Sequence, residues 1–115
     1  MSLMAQPEHR DQLSWYLWYY KTMGKMKRRV KLKIIGKVQG VNFRREAKFV
    51  ANSLDIYGWV KNLEDGAVEV FAEGEEGDLE RLIEWAKAGP SASRVDHIFV
   101  EWLPYSGEFD EFKVR

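Results

Sequence analysis

The chain has 115 residues and no cysteine, which suits one domain around one core and excludes disulfides, thiolate nucleophiles and cysteine-based metal sites. Eighteen Lys and Arg balance eighteen Asp and Glu, so no net charge draws the chain to nucleic acid or an anionic membrane. With 45% apolar residues and abundant aromatics, the chain should fold as a globule, and the lack of cysteine fits a reducing, cytoplasmic setting. In chain order, residues 1–26 differ in character from the remainder. Met1-Ser2-Leu3 ahead of a second Met4 reads as an expression remnant. Pro7 and Gly24 then frame a possible helix on which Leu13, Tyr16, Leu17 and Tyr20 share one face. The apolar run is shorter than the roughly 20 residues a bilayer span takes. Glu8 and Asp11 precede it and no small-residue cleavage site comes after it, which argues against a signal peptide. Residues 1–26 therefore read as an extension, either inert or an aromatic arm for docking or self-association.

From Arg29 the pattern becomes regular. Val30, Leu32 and Ile34 alternate with Lys31 and Lys33, as a strand with one solvated face does. The stretch Gly36-Lys37-Val38-Gln39-Gly40-Val41-Asn42-Phe43-Arg44 comes next. It leads into a helix whose apolar stripe is Phe43, Ala47, Val50, Ala51 and Leu54, closed by Asp55. A loop with two glycines running into a helix start presents unpaired N–H groups backed by the positive end of the helix dipole. That is a cradle for a phosphate-sized anion, with Arg44 as a permanently charged fork at its rim.

Tyr57 to Leu63 reads as a second strand and Glu64-Asp65-Gly66 as a hairpin turn. Ala67 to Glu73 alternates again, with Val68, Val70 and Ala72 on one face and Gly74 as the breaker. A second helix covers Glu75 to Lys87 through Leu79, Leu82, Ile83 and Ala86. Acidic residues sit in its first turn, and Gly89-Pro90 lies past its end. Arg94 to Leu103 is a longer strand with His97 on its outer face, a surface residue rather than a base. His9 and His97 show no metal-ligand spacing. Gly107 turns the chain into a short last strand, Phe109 to Val114. The order β-α-β-β-α-β plus one strand predicts an α+β, ferredoxin-like split βαβ sandwich: an antiparallel sheet with two helices on one face, over residues 27–115.

Fold alone assigns no function. Asn62, just before the hairpin, either caps the turn or holds a water by donating and accepting at once. Val38-Gln39-Gly40-Val41-Asn42-Phe43-Arg44 with Gly58-Trp59-Val60-Lys61-Asn62-Leu63-Glu64-Asp65-Gly66 resembles the two-part signature of the acylphosphatases. Leu82-Ile83-Glu84-Trp85, Gly89-Pro90 and Phe112-Lys113-Val114-Arg115 are similar to that family too, so the resemblance spans essentially residues 27–115. It implies a small hydrolase, with no metal or cofactor, that splits carboxyl-phosphate anhydrides into carboxylate and inorganic phosphate. Phosphate or sulfate would then be a product-like ligand. Carried over residue by residue, the loop backbone of Lys37, Val38, Gln39, Gly40, Val41, Asn42 and Phe43, together with Arg44, would hold the phosphoryl group, and Asn62 would orient the attacking water. Asn42 departs from the glycine or aromatic often found at its position. The alternatives are a non-catalytic ferredoxin-like module binding phosphate or an acyl phosphate, or one binding RNA on its sheet. Against RNA, the strand Gly66 to Ala72 lacks the basic-aromatic signature and carries Glu69, with Glu73 just beyond.

Overall fold

The computed structural model describes residues 12–23 and 25–115, and the framing residues Pro7 and Gly24 lie outside them. Helix α1 (Gln12–Met23) precedes β1 (Lys27–Lys37), α2 (Phe43–Ser53), β2 (Tyr57–Asn62), β3 (Val68–Glu75), α3 (Glu76–Ala88), β4 (Arg94–Leu103) and β5 (Phe112–Val114). The strands lie in the order β4-β1-β3-β2-β5. Alternation in β1 puts Val30, Leu32 and Ile34 on the covered face at 0% exposure. They meet Val60, Val68, Val70 and Ala72 of the neighbouring strands, Phe43, Ala47 and Ala51 of α2, and Leu79, Leu82, Ile83 and Ala86 of α3 in one core. Burial of apolar area on that scale, at roughly 25 cal/mol per Å², is what holds two helices on a single face. The ferredoxin-like arrangement read from the sequence is the arrangement found. Helix α1 touches α3, but none of its described residues belongs to that core. Leu13, Tyr16 and Leu17 of its expected stripe are each more than half exposed, and no helix of the described residues is long and apolar enough to cross a membrane.

Three details differ from expectation. The sheet is mixed, because β5 pairs with β2 in parallel while every other pair is antiparallel. β4 ends beside Arg29 near the start of β1, and β2 begins at the same end of the sheet. A chain that crosses that end and re-enters beyond β2 must therefore run with β2. The last strand is also shorter than residues 109–114, since Phe109 leaves the ladder to sit over the Arg29 guanidinium, 5.2 Å from ring centre to carbon. Finally, Gly74 does not end β3, which continues to Glu75 through pairing with Lys27 and Arg28. Its missing side chain has a packing cause: a Cβ there would come within 3.3 Å of Ile56 Cγ1.

Close approaches of backbone also set where β1 stops. At Gly36 a Cβ would fall 2.0 Å from the Arg94 carbonyl oxygen, so only glycine lets β4 lie so near. The β1–β4 register shifts at the same place, between Ile35 and Gly36. Beyond that bulge β1 turns out of the sheet into the loop that leads to α2.

Candidate active site

The loop between β1 and α2 is shaped by two left-handed residues, Gly40 at φ 73° and Asn42 at φ 64°. A capping residue ordinarily has extended backbone, from which its side chain reaches back to the first-turn N–H groups. Asn42 cannot do so from the left-handed region and makes no side-chain cap, although its carbonyl accepts the first helical bond from Glu46 N at 3.0 Å. The donors at the start of α2 thus remain available to a ligand. Glycine is the usual residue at this conformation and asparagine the best-tolerated substitute.

A cavity of about 260 Å³ opens against this helix start. Its wall is made by Val38, Gly40, Asn42, Phe43, Arg44 and Arg45, with Asn62 at the end of β2 and Val114 of β5. The two residues singled out as catalytic, Arg44 and Asn62, therefore share one cavity, although 18 positions and a whole helix separate them in the chain. The Arg44 guanidinium is steered by one hydrogen bond, from Nη1 to the main-chain oxygen of Arg115 at 2.8 Å. Arg115 is itself fixed by its N–H donating to Val60 O at 2.8 Å and by its guanidinium lying over the Trp59 ring at 4.8 Å. Asn62 Oδ1 is buried and has no hydrogen-bond partner among the described residues. Leaving a buried acceptor unsatisfied costs about 1–3 kcal/mol, so an atom of this kind marks a place meant for something that donates. Asn62 does not serve as the turn cap: the Asp65 side chain accepts from Ala67 N at 3.0 Å instead.

The loop residues divide into two groups. Val38, Gly40, Asn42, Phe43 and Arg44 line the cavity, whereas Lys37, Gln39 and Val41 do not. Lys37 is exposed at the end of β1, and Val41 packs against the core. Gln39 turns to the hairpin, where Nε2 donates to Leu63 O at 2.8 Å and to Ala67 O at 2.9 Å. It ties the loop to the residue directly after Asn62. Phe43 anchors the loop from beneath, 2% exposed with its ring 5.2 Å from that of Trp85. Sequence reasoning missed Arg45, Val114 and the Arg115 carbonyl. Arg45 sits directly after Arg44 and was within reach, but a main-chain acceptor brought in by a parallel edge strand has no sequence signal.

A larger cavity, about 370 Å³, lies at the opposite end of the sheet between Lys27, Asp55, Tyr57, Glu73, Glu75, Asp78 and Tyr105. Four carboxylates against one lysine repel a phosphate, so size does not make it the better candidate for one.

Fold and cavity together define a small α+β domain with an arginine-lined cavity at a helix start. The acylphosphatase family model matches residues 30–114. An acylphosphatase of Geobacter metallireducens is 47% identical over 90 residues, covering 78% of this chain and 97% of that protein. The crystal structure of acylphosphatase from Bacillus subtilis superposes with a TM-score of 0.74 at 34% identity, over 78% of this chain and 99% of the other. That of an acylphosphatase from Coxiella burnetii gives 0.74 at 35%, over 82% and 98%. The chain belongs to the acylphosphatase family.

Proposed function

We infer that this protein hydrolyses the carboxyl-phosphate bond of acyl phosphates, releasing a carboxylate and inorganic phosphate, with the 27–115 unit carrying the reaction and 1–26 an extension to it. The observation that carries the reading is the meeting of Arg44, an uncapped helix start and the orphaned Asn62 Oδ1 at one cavity. The loop N–H groups and the remaining donors of Arg44 bind the phosphoryl oxygens. They act most strongly as negative charge spreads over those oxygens in a loose transition state. Asn62 Oδ1 accepts a hydrogen bond from water and aims the water's oxygen at phosphorus. The new P–O bond forms on that side while the bond to the acyl oxygen breaks on the other, and its electron pair leaves on the carboxylate. A carboxylate is stable as an anion at neutral pH, so no general acid is needed. The amide is no base, and the water's proton passes to a phosphate oxygen or to solvent.

The charge that a divalent ion would otherwise neutralise is met here by backbone dipoles and a guanidinium, so turnover is expected to persist in chelator. The direct test is phosphate release from benzoyl phosphate by the purified chain, with and without EDTA and with inorganic phosphate as competitor. Activity at the rate of the uncatalysed reaction would reject the reading. Strict dependence on an added metal would reject its mechanism.

A further inference from the structure

Arg45 is the other charged residue on the wall of the candidate active site, and the hydrolytic mechanism leaves it unused. No side-chain carboxylate is among the residues lining that cavity, which presents two arginines in succession at the start of α2. Arg44 is held by the Arg115 carbonyl, whereas Arg45 forms no ion pair among the described residues. Its position runs against helix electrostatics, because cations at a helix N-terminus face the positive end of the dipole. A local choice that breaks such a rule with no compensating partner points to a ligand.

In-line chemistry says which part of the ligand. The hydrolytic mechanism puts the water on Asn62 Oδ1, which is buried and without a partner among the described residues, and the attacking and leaving oxygens lie on opposite sides of phosphorus. The acyl group must therefore point away from Asn62 and out towards the cavity mouth, and Arg45 is an exposed residue lining that same cavity. We propose that Arg45 is a specificity-determining residue, whose guanidinium selects acyl phosphates with a second anionic group on the acyl part. This rests on the hydrolase reading of the same site. A planar fork of donors pairs two-pronged with a carboxylate or a phosphoryl group alike, so either anion satisfies it.

The test compares kcat/KM for succinyl phosphate, its neutral monomethyl ester and 3-phosphonopropionyl phosphate, in the full chain and in Arg45→Ala, Arg45→Lys and Arg45→Glu. For an exposed pair, the parent should favour the charged substrates over the ester about five- to tenfold at low ionic strength, and less as salt rises. Arg45→Ala should abolish that ratio, Arg45→Lys should keep part of it, and Arg45→Glu should invert it. A merely structural role would lower all three substrates together and leave the ratio unmoved. The two charged substrates separate carboxylate from phosphonate preference, and either preference supports the proposal. Equal rates on charged and neutral substrates by the parent, or an unchanged ratio in Arg45→Ala, would overturn it while hydrolysis itself stands. No hydrolysis of any of the three by the parent would overturn the underlying reading, and this inference with it.

Discussion

At the end of the sheet where β1 begins, the Glu73 carboxylate is 3% exposed and accepts four hydrogen bonds: from Arg29 Nε, from Ser106 N and Oγ, and from Gly107 N. At the other end, where β1 runs into α2, Asn62 Oδ1 is also buried and accepts none. Both atoms lie under loops that cross an end of the sheet, yet only one has its bonding completed by the chain. Glu73 pins the segment that carries the backbone from β4 over to β5, and Arg29 extends the network to Glu108 and Ser106. Asn62 is left open beside an uncapped helix start and a pair of arginines. A satisfied buried polar group works for the fold, and an unsatisfied one next to free donors works for a ligand.

The largest effects should fall on the open end. If the proposed mechanism holds, Arg44→Ala removes a charged donor from the developing phosphoryl charge and should lower kcat/KM for benzoyl phosphate by about 10²–10³. It should also weaken competition by inorganic phosphate. Asn62→Ala should cost turnover on a similar scale while phosphate still competes normally, because orientation of water is lost rather than charge. Its stability should hold or rise by up to about 1 kcal/mol, since the change deletes an acceptor that the fold leaves unpaired. Near-parental hydrolysis by either variant would break the contrast at its functional end.

The closed end should respond in the opposite sense. Glu73→Gln leaves the Arg29 guanidinium, in a largely buried place, with only the exposed Glu108 carboxylate as counter-charge, and should cost about 1–3 kcal/mol in denaturant unfolding. The folded fraction should hydrolyse acyl phosphate at the parental rate. Burial pushes the Glu73 carboxyl up, but hydrogen bonds from Ser106 and the charge of Arg29 outweigh it and hold the group below its ordinary value of 4.5. The unfolded chain therefore takes up the proton first. The stabilisation is complete above pH 4.5 and drains away as pH falls through the lower folded-state value. The stability gap between parent and Glu73→Gln should shrink over that acid window. A gap that stays constant would mean that packing, not charge, sets the cost.

Much of this architecture is legible in the residue pattern. Period-two alternation in Val30, Leu32 and Ile34 and the helical stripe Phe43, Ala47 and Ala51 mark the core, because each apolar side chain has one face to occupy. Two motifs bring Arg44 and Asn62 together, although neither composition nor periodicity says that they meet. What stays hidden depends on backbone arriving from elsewhere. The parallel docking of β5 and the Arg115 carbonyl that steers Arg44 are properties of chain direction, which no residue pattern encodes. Gly74 misleads for the same reason: glycine reads locally as a breaker, while its cause is the Ile56 side chain across the fold. Nor does the pattern tell that the Gln39 side chain reaches across to the hairpin carbonyls.

That last placement yields the smallest and most discriminating prediction. The Leu63 and Ala67 carbonyls that Gln39 binds are already engaged, Leu63 O by Gly66 N at 3.2 Å and Ala67 O by Leu63 N at 2.8 Å. Gln39→Leu therefore strands no acceptor and should cost only about 1–2 kcal/mol of stability for two lost hydrogen bonds. The hairpin keeps its own ladder, and the loop keeps its left-handed residues and its Phe43 anchor. What is lost is the strut between them, which links the proposed phosphate loop to the residue after Asn62. A small misplacement of water against phosphorus weakens attack more than it weakens phosphate binding. The variant should accordingly lose about tenfold in kcat with little change in the inhibition constant of inorganic phosphate. An equal loss in both would place Gln39 in the anion grip itself, and no loss in either would show that the two halves of the site hold their spacing without it.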